Sequence, residues 1–229
     1  RDVERSRGLG DVYKRQSVAK VSGGEGIRIK PVGMHTKAEW TIQMSAIYSS
    51  LTRSNLTTAY LSNGTGGAFY TRISSTAGIQ VKNGRDGDDT WTQMPLQAGK
   101  WLHITYVHKD KKTTVYVNGK VQKVFENSAI TFGENSMIVV GNSGYRNDYL
   151  REIRLWDKAL TESEINDYLY LPMDPATPHL ISYLPLSKEM ETKDLKAPAG
   201  TENVTTKARI EYVENVKFPA DELVIVNQE

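Results

Sequence analysis

Asn83, Asp86, Asp88 and Asp89 put four oxygen-bearing side chains into one short stretch broken by Gly84 and Gly87, and Trp91 follows two residues later. A second such group comprises Asn142, Tyr145, Asn147, Asp148 and Tyr149. Two chemistries suit these residue types. Hard cations such as calcium take carboxylate and amide oxygens, which makes Asp86, Asp88 and Asp89 weak calcium candidates, although their spacing is not that of an EF-hand loop. Sugars stack their apolar faces on aromatic rings while amides and carboxylates hold their hydroxyls, which suits Trp91, Tyr145 and Tyr149 beside their Asn and Asp neighbours. The plain alternative for both stretches is a solvated turn, and for Trp91 a place in the core.

No catalytic set assembles. Cleavage of a glycosidic bond needs two paired carboxyl groups, one to donate a proton and one to attack or activate water. No E-x-D-x-x-E string supplies such a pair, and Glu126, Glu134, Glu189 and Glu191 stand in polar surroundings without one. There is no G-x-S-x-G elbow. His35, His103, His108 and His179 lack metal-ligand spacing. His103 falls within a strand pattern and is expected at a surface or an edge. The chain therefore reads as a non-enzyme, with no catalytic residue assigned.

Composition narrows the class. The 229 residues include 29 Lys and Arg against 27 Asp and Glu, a formal charge of +2. No basic run interleaved with aromatics suggests nucleic acid. Zero cysteines exclude disulfides and thiolate metal sites. No apolar run approaches the ~20 residues of a membrane-spanning helix. Residues 1–16, RDVERSRGLGDVYKRQ, have no convincing period and read as a non-native or disordered leader. Residues 17–229 are expected to form one domain, with a polar tail after Glu189 that contains two β-like runs, Ala208–Val213 and Leu223–Val226.

The elements that must position these groups are strands. Trp40, Ile42, Met44, Ala46 and Tyr48 alternate with Thr41, Gln43, Ser45 and Ile47, the period of a half-buried strand. Val18–Val21, Ile27–Ile29, Thr58–Leu61, Ala68–Ser74, Ile79–Val81, Trp91–Met94, Met137–Val140 and Leu180–Leu186 are further strand candidates. The firmest local unit is WLHITYVHKDKKTTVYVNGK, Trp101–Lys120. Leu102, Ile104 and Tyr106 lie on one face of its first strand, and Asn118-Gly119 forms a two-residue turn whose central residues tolerate positive φ. From Leu150 to Trp156 strict alternation groups Leu150, Glu152, Arg154 and Trp156 against Arg151, Ile153 and Leu155. One helix follows near 162–169. Thr161 and Glu164 fit a capping box, Ile165, Tyr168 and Leu169 share a face, and Pro172 and Pro175 end it. Many strands, one helix and frequent Gly, Asn and Asp turns imply an all-β fold, a two-sheet antiparallel sandwich.

The W-L-H-I-T-Y…V-Y-V-N-G-K hairpin, followed by D-Y-L-R-E-I-R-L-W-D-K-A-L-T-E-S-E-I, resembles laminin-G-like domains of the concanavalin A-like lectin/glucanase superfamily. The likeness is greatest to the bacterial "laminin-G three" type of Bacteroidetes surface proteins. Glu152, Ile153, Arg154, Leu155, Trp156, Ala159, Leu160, Thr161, Glu164 and Ile165 carry it. The opening SVAKVSGGEGIRI resembles the first hairpin of that family, and LISYLPLSKE resembles its terminal strand. The resemblance implies a concanavalin A-like jelly roll. It implies a carbohydrate-binding or adhesion module at the outer surface of a bacterium, with rim loops recognising a glycan or a surface protein. It also implies a longer chain with a further N-terminal domain. Arg151 stands where many relatives carry Asp, which weakens the calcium reading. The alternatives are a structural or protein-interaction module without a small ligand, and a divergent glycoside hydrolase.

Overall fold

The structure is a computed structural model and describes residues 17–23, 26–33, 38–51, 56–62, 67–83, 90–126, 134–141, 145–214 and 216. In chain order its strands are β1 (Val18–Gly23), β2 (Ile27–Ile29), β3 (Trp40–Ile47), β4 (Leu56–Ser62), β5 (Gly67–Ser74), β6 (Gly78–Asn83), β7 (Thr90–Trp91), β8 (Trp101–Lys109), β9 (Lys112–Val117), β10 (Lys120–Phe125), β11 (Met137–Val140) and β12 (Tyr145–Trp156). The helix α1 (Glu162–Asp167) follows, then β13 (Leu180–Leu184), β14 (Val204–Thr206) and β15 (Arg209–Val213). The first sheet runs β10-β9-β8-β3-β12-β1-β15, with β13 also paired to β12; the second runs β14-β2-β11-β4-β5-β6-β7. Every pairing is antiparallel. The all-β sandwich expected from the alternation is the fold observed.

Inward residues of both sheets make the main core. Trp40, Ile42, Met44, Ala46 and Tyr48 all enter it, as their spacing predicts. So do Ile104, Tyr106, Val115 and Val117 of the hairpin, and Ile138 and Val140 of β11. Trp40 meets Phe69 edge-on at 5.4 Å, and Phe69 meets Tyr106 in the same way at 5.5 Å. Buried side chains of this size contribute about 1.5–3 kcal/mol each. The Asn118-Gly119 turn has φ of 50° and 75°, as its sequence demands.

Three expectations change. The opening segment is not a hairpin: β1 pairs with β12 and β15 in one sheet, while β2 pairs with β11 and β14 in the other, so the chain crosses the sandwich between them. Strict alternation along β12 also fails, because its register to β3 shifts between Leu150 and Glu152. This irregularity puts Leu150 into the main core with Ile153 and Leu155, and leaves Glu152, Arg154 and Trp156 on the outer face. Finally, β3 and β8 are buried on both faces rather than one. The cover is a second apolar cluster in which Trp156, Val107 and Tyr116 pack against Leu160, Ile165, Met173, Leu180 and Tyr183.

The covering segment starts at α1. Thr161 caps the helix with both halves of the predicted box present, and Ile165 is its buried residue. The helix ends at Asp167, two residues short of the sequence expectation, with Tyr168 as its C-cap. Tyr168 then stacks on Trp156 at 5.5 Å. The tail also finds a place: β14 extends the second sheet beside β2, and β15 extends the first beside β1. Leu223–Val226 and the leader 1–16 lie outside the described residues.

Candidate functional site

The strands that lead into the two oxygen-rich stretches run in opposite directions. Within the second sheet, Asn83 is level with Phe69, which pairs with Leu61, which pairs with Ile138. Strand β11 then runs from Ile138 to Val140, level with Ala59. Val140 therefore lies two residues, roughly 7 Å, along the strand direction from the level of Asn83. Chain leaving Asn83 continues the opposite way, since β6 runs from Gly78 to Asn83 against β5. Strands β6 and β11 thus end at opposite ends of the second sheet.

Individual candidates divide further. Asp86, Asp88, Asp89 and Asn142 lie outside the described residues, Asn83 and Tyr145 are placed by backbone pairing, and Asn147 sits in β12 at the register shift against β1, without a ladder partner there. Asp148 is buried, and its Oδ1 accepts from the Ser49 backbone N–H at 2.7 Å and from the Ser49 hydroxyl at 2.9 Å. It ties the end of β3 to β12. Tyr149 is half-buried between Lys20 and Ile47 in the ladder. Trp91 is half-buried on the edge strand β7, and Lys123 Nζ donates to its carbonyl at 3.0 Å. Among the described residues, no group of three or more His, Asp or Glu side chains could hold a metal ion.

His103 is not at a surface. It sits in the interior strand β8 with 1% of its area exposed. Burial, with the Arg154 charge beside it, lowers its pKa to about 3, so the ring is neutral. Its ring edge faces Tyr170 at 5.8 Å, and Nδ1 lies 3.4 Å from the Thr105 hydroxyl. A polar network continues beneath the covering segment: Trp156 Nε1 donates to Gln43 Oε1 at 2.8 Å, and Gln43 Nε2 reaches Thr105 Oγ1 at 3.4 Å. Arg154, fully buried, donates to Glu152 and to the carbonyls of Leu171 and Tyr168, the last at 2.9 Å. This guanidinium fastens the segment after α1 to the sheet. His108 stacks on Trp40 at 5.0 Å, and burial lowers its pKa too.

Residues 189–204 enclose a groove of about 940 Å³. The buried carboxylate in its wall, Asp194, is already engaged. It accepts from Ser182 Oγ, from the backbone N–H groups of Tyr183 and Lys196 at 2.9 Å each, and from Asn203 Nδ2 at 2.7 Å. That set shapes the loop, and the exposed Glu189, Glu191 and Glu202 line the same groove.

The outer faces of the two sheets differ. On the first, Gln43, His103, Thr105 and Arg154 are all buried. On the second, Arg28, Tyr70, Arg72, Lys82 and Trp91 remain half-exposed. Arg72, Gln80 and Trp91 are directly opposite one another on β5, β6 and β7, with Tyr70 and Lys82 opposite each other one row along. The sequence points to Trp91 alone. Alternation of Gln80 and Lys82 with the core residues Ile79 and Val81 is visible in it, but joining them to Arg72 and Trp91 needs the register.

Comparison with known proteins places the molecule. A family model described as the concanavalin A-like lectin/glucanases superfamily, of the laminin-G three type, matches residues 22–166, more than half of the chain. The chain belongs to this laminin-G-like family. Among solved structures, a candidate carbohydrate-binding protein from Bacteroides ovatus is similar at 20% identity and a TM-score of 0.66, covering 87% of this chain and 60% of its own. This laminin-G-like chain thus spans about 60% of the length of that protein. Domain 4 of an extracellular arabinanase from Geobacillus stearothermophilus, in complex with arabinotriose, matches at 19% identity and a TM-score of 0.55, over 66% of this chain and 76% of that one. The binding domain of botulinum neurotoxin serotype D/C matches at 13% identity and a TM-score of 0.50, over 67% and 43% of the two chains. No curated protein matches the sequence. These likenesses establish the fold; the fold by itself does not exclude catalysis. Among the described residues, no helix is long and apolar enough to cross a membrane.

Proposed function

We propose that this laminin-G-like domain is a non-catalytic carbohydrate-binding module of a bacterial surface protein, acting outside the cell as part of a longer chain. The observation that carries the reading is the membership of residues 22–166 in a superfamily of lectins and glucanases. Similarity to a Bacteroides candidate carbohydrate-binding protein and to an arabinotriose-bound domain supports it. The chemistry of the acids supports the non-catalytic part. The buried carboxylates Asp148, Glu152 and Asp194 each accept hydrogen bonds from protein donors, which ties them to the fold.

Binding is loop-borne in this proposal, with Trp91 and the Asn83–Asp89 connection at one end of the sandwich. Because Tyr145, Asn147 and Tyr149 follow β11, which ends at the opposite end of the second sheet from β6, they form a second, independent candidate rather than the other wall of one cleft. Calcium, if it takes part, belongs to Asp86, Asp88 and Asp89. A glycan array followed by affinity electrophoresis tests the reading, with Tyr145→Ala and EDTA as separate arms. Retention on at least one glycan without its cleavage is expected. No retention on any glycan, or release of reducing ends, overturns it.

A further inference from the structure

The seven strands of the second sheet contain three charged residues, Arg28, Arg72 and Lys82, and no Asp or Glu. This bias is confined to the strands, since the connection from β6 to β7 adds Arg85 against Asp86, Asp88 and Asp89. Two of the three cations sit within one cluster. Arg72 pairs across to Gln80, Gln80 to Trp91, and Tyr70 to Lys82. Directly opposed residues on one sheet face bring their Cβ atoms to about 4.5–5.5 Å, so the Arg72–Gln80–Trp91 row is a contiguous surface.

Each member is held. Arg72 Nε donates to the Tyr70 hydroxyl at 3.1 Å, and its guanidinium carbon lies 4.9 Å from the centre of the Tyr70 ring. That leaves the Nη side of the fork: among the described contacts nothing accepts from it. Trp91 is fixed through its carbonyl by Lys123. Gln80, between them, is 1% exposed, and its Oε1 is a buried acceptor without a hydrogen-bond partner among the described residues. A buried acceptor of this kind calls for a donor that the described protein does not provide.

We propose that this face is a binding site for an anionic glycan, one whose sugar ring carries a carboxylate or sulfate. The proposal rests on the carbohydrate-binding reading above and names the ligand class and place. The indole of Trp91 is the stacking plate for an apolar sugar face. Arg72 presents a planar fork matched to a two-oxygen anion, which a lysine at the same place would contact only as a point charge. Gln80 Oε1 is closed to solvent and accepts from a sugar hydroxyl once a side-chain shift beside Trp91 opens it. Neutral sugars satisfy the plate and the amide and leave the fork empty.

Affinity electrophoresis of the whole chain through gels containing polygalacturonate, dextran sulfate or neutral dextran is the test, with melting temperature recorded for every variant. Retardation by one or both anionic polymers is expected, and the two distinguish a carboxylate from a sulfate as the bound group. Arg72→Gln is expected to weaken it about tenfold or more, with Arg72→Lys recovering only part. Trp91→Ala is expected to weaken it by a similar factor. Gln80→Met keeps the shape of the side chain and is expected to lower affinity while leaving the melting temperature unchanged or higher. Equal retardation of Arg72→Gln and wild type overturns the assignment, as does binding to dextran alone, or binding that falls with salt yet ignores Trp91→Ala. In those cases a bound glycan leaves the parent reading standing. Failure to bind any glycan removes both.

Discussion

Acid should weaken this fold through one side chain in particular, His103. In the folded state burial and the neighbouring Arg154 hold its pKa near 3; in the unfolded chain it returns to 6.5. Below pH 6.5 the unfolded state therefore binds the proton and the folded state refuses it. Stability is full above pH 6.5 and is lost progressively as pH falls from there toward 3. Each pH unit inside that window is worth about 1.36 kcal/mol. Moving from pH 7 to pH 5 crosses about one and a half units of it, a loss of about 2 kcal/mol from this one group, a sizeable part of the roughly 5–15 kcal/mol typical of a domain. Urea unfolding followed by tryptophan fluorescence at about pH 7 and pH 5 measures the difference. His103→Gln, neutral at both values, should lose less stability than wild type over that interval by about the same 2 kcal/mol. Ordinary carboxylate titration is shared by both proteins and cancels, as does His108, whose pKa burial lowers in the same direction. An identical pH slope in the two proteins would refute the claim that His103 is buried as the neutral ring.

Two further outcomes follow from the covering segment. Arg154→Met removes the donor to Glu152, Leu171 and Tyr168 and leaves the Glu152 carboxylate buried without its counter-ion, so a loss of about 3–5 kcal/mol is expected in urea unfolding; adding Glu152→Gln should recover part of it. Thr161→Ala deletes the acceptor for the Glu164 backbone N–H and half of the capping box, and should lower stability by about 1 kcal/mol, read as a small drop in melting temperature.

What the sequence makes legible is whatever depends on neighbours within a strand or a turn. Alternation places Trp40, Ile42, Met44 and Ala46 in the core, Asn118-Gly119 announces its turn, and Thr161 with Glu164 announces the helix start. What stays hidden depends on partners distant in sequence. The irregularity at Leu150/Glu152 is a relation to β3, far away along the chain, and it reverses the face of every later residue in β12. His103 reads as an edge residue because nothing near it in sequence shows that α1 and the chain up to Tyr183 fold back over β8. The opening turn Ser22–Gly26 reads as a hairpin because a crossover between sheets and a hairpin share the same local turn chemistry. The candidate site suffers most. Two loops of similar composition suggest one rim, and only the direction of β6 and β11 separates them.

The unequal fates of the two outer faces follow from one balance. Gln43, His103, Thr105, Glu152 and Arg154 are polar, and burying such groups is costly unless each finds a partner. The covering segment supplies partners: carbonyls of Tyr168 and Leu171 take the guanidinium, and Tyr170 crosses to Asn118 Oδ1 at 2.8 Å. Two buried groups of this face, Ser45 Oγ and Arg154 Nε, have no partner among the described residues, but the segment packed over them closes the face to a ligand. On the second sheet, Gln80 is equally buried, yet its oxygen has no donor among the described residues, and Arg72 beside it keeps the Nη side of its fork without an acceptor among the described contacts. Unmet capacity of opposite kinds, one set of donors at the surface and one acceptor just beneath it, is what a polyhydroxylated anion would satisfy on a side-chain shift that opens Gln80, since it carries both charged oxygens to receive and a hydroxyl to give. The asymmetry between the faces thus distinguishes a surface used to build the molecule from one left available to meet another.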